Sequence, residues 1–144
     1  VTHVLDSSAV LAWLFQERGE EVVDPVLTGA TLTTTNLAEV CRRAEQRGYQ
    51  RATADLAEDL VSAGLTLEET VTPADAVRAA ELIRLSYDER DCRTRRGEEK
   101  TAVLSLGDGI CIAVAERLGL PAMTSDRAWK DLENLFHTKV VLIR

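Results

Sequence analysis

Short β-branched runs alternate with amphipathic helical patterns along this 144-residue sequence, and the alternation predicts an α/β fold with a central, mostly parallel β-sheet flanked by α-helices on both faces. Two further observations agree. Hydrophobic residues make up 45% of the chain and aromatic ones only 4%, so the core is built from Leu, Val, Ile and Ala. Acidic residues also recur where strand-like runs end, the edge at which open parallel sheets carry their ligand sites. The length predicts one domain over 1–144.

The elements follow in order. "THVLD" is a short β-branched and apolar run ending on Asp6, and "SSAVLAWLF" offers Ser and Asp caps ahead of a helix-competent stretch. "ATLTTT" reads as a second strand. Leu37, Val40, Cys41 and Ala44 fit the i, i+3, i+4, i+7 helix template, and Ala57, Leu60, Val61 and Gly64 repeat it, so a helical hairpin is predicted over 36–64. "LTLEETV" is a third strand, Pro73 a first-turn proline, and Ala79, Leu82, Ile83 and Ser86 the inward face of the next helix. Residues 88–101, "DERDCRTRRGEEKT", lack an apolar period and read as a loop or a frayed helix end. Cys111, Val114, Ala115 and Leu118 give another helical face, "GLPAMT" a strand, "DRAWKDLENL" a short helix and "KVVLI" a last strand.

Composition narrows the function. No apolar run approaches the roughly 20 residues needed to span a bilayer, and no basic segment followed by an apolar one opens the sequence, so a cytoplasmic protein with no membrane partner is expected. Cys41, Cys92 and Cys111 are odd in number and widely spaced, which predicts reduced structural thiols rather than disulfides or a zinc ribbon. A net charge of −7 argues mildly against a nucleic-acid partner, unless basic residues are locally gathered.

Four acids stand out. Asp6 and Asp126 end strand-like runs, Asp108 opens a helix, and Glu39 lies in the first turns of another, beside its apolar face. Each alone reads equally well as a cap or a complement to a helix dipole. Capping does not require acids from four segments to meet, however, and clustered carboxylates repel unless a cation neutralises them. Oxygen-only ligands suit Mg²⁺ or Mn²⁺.

The series "VLDSSAVLAWLF", "TTTNLAEVCRRA" and "LSLGDGICIAVAERLGLPAMTSDRAW", closed by an apolar strand, resembles the PIN-domain ribonucleases, in particular VapC-like toxins of type II toxin–antitoxin pairs. The resemblance implies a PIN-like fold over nearly the whole chain, with Asp6, Glu39, Asp108 and Asp126 as the catalytic acids. Asp6, Asp108 and Asp126 would hold Mg²⁺ or Mn²⁺, Glu39 would position or deprotonate the attacking water, and Ser7, Asn36 and Ser125 would orient the acids. It also implies a toxin endoribonuclease that leaves a 5′ phosphate and a 3′ hydroxyl, a homodimeric assembly, and neutralisation by a cognate VapB-like antitoxin. Trp13, Leu14 and Phe15 would supply apolar surface for that partner. The alternative is a catalytically weak PIN module acting as a protein-binding partner, its acids kept as caps.

Basic residues gather in two places, Arg42, Arg43, Arg47 and Arg51 on the helical hairpin and Arg93, Arg95, Arg96 and Lys100 in the polar segment. Arg43, Arg93, Arg95 and Arg96 are candidate RNA contacts; ordinary solvated surface is the competing reading. Other chemistries lack their residues. A haloacid-dehalogenase-type phosphatase needs a second Asp where Ser8 stands. A phosphoacceptor receiver needs an acidic pair and a late Lys that are missing. The dinucleotide fingerprint fails at Ile112, no phosphate-binding P-loop is present, and His3 and His137 form no helical zinc pair.

Overall fold

The structure, a computed structural model, describes residues 2–99 and 102–144. Five strands, β1 (Val4–Leu5), β2 (Thr31–Thr33), β3 (Thr66–Glu68), β4 (Ala122–Thr124) and β5 (Val140–Leu142), form one sheet in the order β3-β2-β1-β4-β5. Every neighbouring pair is parallel. The helices are α1 (Ser7–Leu14), α2 (Glu20–Val23), α3 (Thr34–Gln46), α4 (Thr53–Ser62), α5 (Pro73–Arg95), α6 (Leu106–Leu118) and α7 (Arg127–Asp131). The expected α/β architecture is therefore present, with a sheet that is parallel throughout.

Alternation of side chains along each strand explains why both faces are covered. Val4 and Ala122 point into one core with Leu82, Ile112, Trp129 and Val140. Their neighbours Leu5 and Met123 point into the other, with Val10, Leu32, Val40, Leu56 and Leu60. Helices α1, α3 and α4 thus cover one face and α5, α6 and α7 the opposite one, and the three inner strands are buried throughout. The strand order also fixes where a site can form. The chain runs outward from β1 to β2 and β3, then crosses back to β4 on the other side of β1. At this switch point the connections leaving β1 and β4 diverge and open a crevice at the carboxyl edge.

Some local expectations are corrected. Residues 88–95 are neither loop nor frayed end, because α5 continues to Arg95. The helix is held there by spaced side-chain pairs rather than an apolar face: Arg84 with Asp88, Glu89 with Arg93, and the Thr94 hydroxyl on the Arg90 carbonyl. Gly97, at φ 75°, then ends it. Lys100, grouped with those arginines from the sequence, lies outside the described residues, as do Thr101 and Val1. The run from Arg127 to Leu135 is a five-residue helix followed by a separate 3₁₀ turn, Glu133–Leu135. Trp13, Leu14 and Phe15, expected to supply apolar surface for a partner, are half-buried and pack against the core. Trp13 Nε1 donates to Asp24 at 2.9 Å, and Phe15 sits between the edge of Tyr49 and the Arg47 guanidinium.

Gly109 is what lets α6 lie tightly on α5. A Cβ there would stand 3.1 Å from the Ala79 carbonyl oxygen and from Ile83 side-chain carbons. A larger residue would push the helices apart at the turn that carries Asp108. Gly109→Val is expected to lower stability by about 1–3 kcal/mol, the usual cost of overpacking. Chemical denaturation checks this; an unchanged midpoint would mean that α5 gives way without cost.

Candidate active site

Strand β1 ends at Leu5, so Asp6 is the first residue past the sheet edge, at the switch point itself. It is 5% exposed. Although it occupies the N-cap position of α1, its side chain caps nothing. Instead, Oδ2 accepts hydrogen bonds from the Ser8 hydroxyl at 2.7 Å and the Thr124 hydroxyl at 2.9 Å. Ser7 reaches Oδ1 only at 3.5 Å. The same hydroxyls tie the end of β4 to the start of α1, because Ser8 Oγ accepts from the Ser125 N–H and Thr124 Oγ1 from the Asp126 N–H.

Asp108 and Asp126 reach the crevice from helix starts. In α6 the Ser105 hydroxyl accepts from the Asp108 N–H while the Asp108 carboxylate accepts from the Ser105 N–H, a reciprocal capping box. Asp126 caps α7 by accepting from the Ala128 N–H at 2.9 Å. Glu39 reaches the crevice from the second turn of α3 and pairs with Arg43 one turn further on at 2.8 Å. All four acids, with Ser7, Ser8, Ser105, Ser125 and Arg43, line one cleft of ≈ 390 Å³. Asn36 is buried behind it, its Oδ1 accepting from the Thr33 hydroxyl.

Electrostatics tell the same story. Burial raises the Asp6 carboxyl above its ordinary value; its two hydroxyl donors pull the other way, and the Glu39 charge adds to the rise. Asp108 is pushed up to about 6, first by burial and then by the charges of Asp6 and Asp126, against its bonds to Ser105. Cys111, buried beneath the cleft, has its thiol raised well above the ordinary value by burial and by the fields of Asp6, Asp108 and Glu39. Among the described residues no arginine, lysine or histidine forms an ion pair with Asp6, and the Arg43 guanidinium on the same cleft is paired with Glu39 instead. The donor set is all oxygen, which fits a hard divalent ion. Among the described residues no three His, Cys, Asp or Glu side chains are already drawn together as a ligand shell.

The remaining arginines are placed differently. Arg93 pairs with Glu89, Arg96 with Glu98, and Arg95 Nη2 donates to the Cys92 sulfur at 3.3 Å. They sit at the end of α5 and are not among the residues lining the cleft. Sequence reasoning missed Ser8, Thr124 and Ser105. The T-S-D strand end and the S-x-x-D helix start were the available signals.

A PIN-domain family model matches residues 3–135. The chain belongs to the PIN-domain family. Among solved structures, its fold is similar to DNA-bound VapBC from Salmonella typhimurium, with a TM-score of 0.59 and 14% identity over 100% of this chain and 99% of that one. VapBC-1 from nontypeable Haemophilus influenzae matches with a TM-score of 0.59 and 11% identity over 99% and 98% of the two chains. FitAcB from Neisseria gonorrhoeae matches with 0.60 and 16% over the same shares. At these identities the likeness concerns the fold. No curated protein matches this sequence significantly.

The raised carboxyls make a sign-definite prediction for this PIN domain. Between the ordinary 3.8 and about 6 the folded chain holds a proton on Asp108 that the unfolded chain has released, so stability falls as pH rises through that window. Asp6 contributes in the same direction. In chelator-containing buffer, denaturant titrations should give lower stability at pH 7 than at pH 5. Asp108→Asn should flatten the slope, and a variant as steep as wild type would assign it elsewhere.

Proposed function

We propose that this PIN domain is a VapC-type toxin: an Mg²⁺- or Mn²⁺-dependent endoribonuclease restrained by a VapB-like antitoxin. The observation that carries the reading is Asp6. A carboxylate this deeply buried, uninvolved in capping and without an ion-pair partner among the described residues, is costly until a cation joins it. Asp108 and Asp126 stand on the same cleft, and the family supplies the nuclease setting.

In this reading Asp6, Asp108 and Asp126 hold the ion, which when bound polarises a phosphoryl oxygen and acidifies a water. Ser8 and Thr124 fix the Asp6 carboxylate through Oδ2, and Ser7, Asn36 and Ser125 complete the polar surround. Glu39 orients the attacking water and takes its proton. Arg43, on the rim, meets the phosphate; Arg93, Arg95 and Arg96 contact RNA further away, Arg93 and Arg96 once released from Glu89 and Glu98. Cleavage leaves a 5′ phosphate and a 3′ hydroxyl, as expected when water rather than the 2′ hydroxyl attacks. The antitoxin blocks the cleft with a cation, for which a guanidinium is suited because it forks onto carboxylate oxygens. Two copies of the chain form a cytoplasmic homodimer with one cleft each.

One observation favours a second reading, a catalytically weak PIN module that binds protein. Asp108 and Asp126 each already spend an oxygen on a helix start. In that case, divalent ions would not stabilise the protein. For the nuclease, saturating Mn²⁺ should raise the melting temperature by mass action on the folded state, and purified protein should cleave RNA. Asp6→Asn and Asp108→Asn should each abolish both effects while circular dichroism remains that of wild type. Cleavage by either variant at the wild-type rate would overturn the assignment of these acids.

The toxin part has its own test. Co-expression with the protein encoded beside this one should yield a complex of defined mass whose RNase activity is suppressed. A neighbour that neither binds nor inhibits would leave a nuclease without its restraint and end the toxin reading.

A further inference from the structure

On α3, Asn36, Glu39 and Arg43 follow one another at i, i+3 and i+7, so Glu39 has one side-chain neighbour a turn before it and one a turn after it. The two differ in kind. Arg43 is half-exposed on the cleft rim and holds Glu39 Oε1 at 2.8 Å. Asn36 is 0% exposed, and its Nδ2 has no hydrogen-bond partner among the described residues. A buried, unpaired amide donor costs on the order of 1–3 kcal/mol, so its retention calls for a partner.

Gly107 shows where that partner lies. A Cβ on Gly107 would be 3.4 Å from Glu39 Oε2 and 3.9 Å from Asn36 Nδ2, so both groups flank the space a missing side chain leaves at the start of α6. The amide orientation is set by Thr33, whose hydroxyl donates to Asn36 Oδ1 at 3.0 Å. Reversing the amide would leave that hydroxyl proton without its acceptor and turn a carbonyl oxygen toward the Glu39 carboxylate.

We infer that Glu39 has two seats: an outer one on Arg43, occupied in the free protein, and an inner one on Asn36 Nδ2, taken when a phosphate draws Arg43 away. This rests on the nuclease reading and deepens it, making Asn36 a positioning residue that acts through Glu39. Substrate itself then releases the carboxylate from its ion pair and hands it to a rigid, buried donor. Thr33, which caps α3 by accepting from the Asn36 N–H at 3.1 Å, keeps that donor in place. Before RNA arrives, the guanidinium occupies the carboxylate that is to receive the proton.

The test begins with protein free of RNA and metal and labelled with ¹⁵N only in its asparagine side-chain amides, so that Gln16, Gln46 and Gln50 give no signal. The chain has two asparagines, Asn36 and Asn134, so Asn134→Ser identifies the Asn36 side-chain amide by elimination. Arg43→Ala should move that amide proton downfield and slow its exchange with solvent, and adding Glu39→Ala to Arg43→Ala should reverse both changes. An Asn36 amide that is identical in the single and double variants overturns the inference. Steady-state cleavage supplies a second readout: Asn36→Leu should lower kcat by up to about a hundredfold, the scale of a misplaced group, with KM nearly unchanged, whereas Arg43→Ala should act chiefly on KM. A loss in Asn36→Leu confined to KM also overturns it. If wild type cleaves no RNA, the nuclease reading fails, and the amide spectra still decide whether Glu39 moves to Asn36.

Discussion

The carboxylate of Asp6 sets the terms for everything around it. Placed one residue beyond a two-residue central strand, it is almost fully withdrawn from water, and no arginine or lysine among the described residues pairs with it. Removing an ion from water costs several kcal/mol even after relaxation. The fold meets only part of that cost with two hydroxyls on one oxygen. Those hydroxyls come from α1 and β4, so holding Asp6 also clamps the two connections that diverge at the switch point. The polar lacing is thus a structural joint as well as an electrostatic support.

Around that joint, acids serve two masters. Asp108 closes a capping box and Asp126 caps a short helix, so each is rigid because it starts a helix. A helix start aims its unpaired N–H groups in the same direction as the acid, which limits mutual repulsion. Gly109 then brings α6 so close to α5 that this start has little freedom to tilt. Packing on the far side of the sheet therefore reaches the cleft through one helix turn, and rigidity at the site needs no extra loop.

How far the sequence foretold this depends on the kind of signal. Strand alternation and the helical faces at Leu37–Ala44 and Cys111–Leu118 were legible because burial imposes a period, and the α/β layering with its parallel sheet followed. The four acids were legible through their context at strand ends and helix starts. The tail of α5 was not, because charge pairs rather than an apolar stripe maintain it. Nor were Ser8 and Thr124, whose importance comes from meeting across 116 residues of sequence at 3.3 Å. The use of Gly109 is visible only in the proximity of Ala79 and Ile83. The contacts of Trp13 with Asp24 and of Phe15 with Arg47 and Tyr49 were not legible either. These are tertiary facts, and local pattern carries no record of them.

The strand order also governs timing. With β1 between β2 and β4, Asp6 is synthesised 118 residues before Thr124, whose hydroxyl helps to seat it. A ribosome that has reached residue 100 has produced Asp6 and Glu39 but neither Asp108 nor Asp126. The nascent chain can form the β1-β2-β3 half of the sheet and still have no cleft. Whatever chemistry the four acids perform is withheld until β4 slots beside β1, so a truncated or stalled translation product is inert by topology alone.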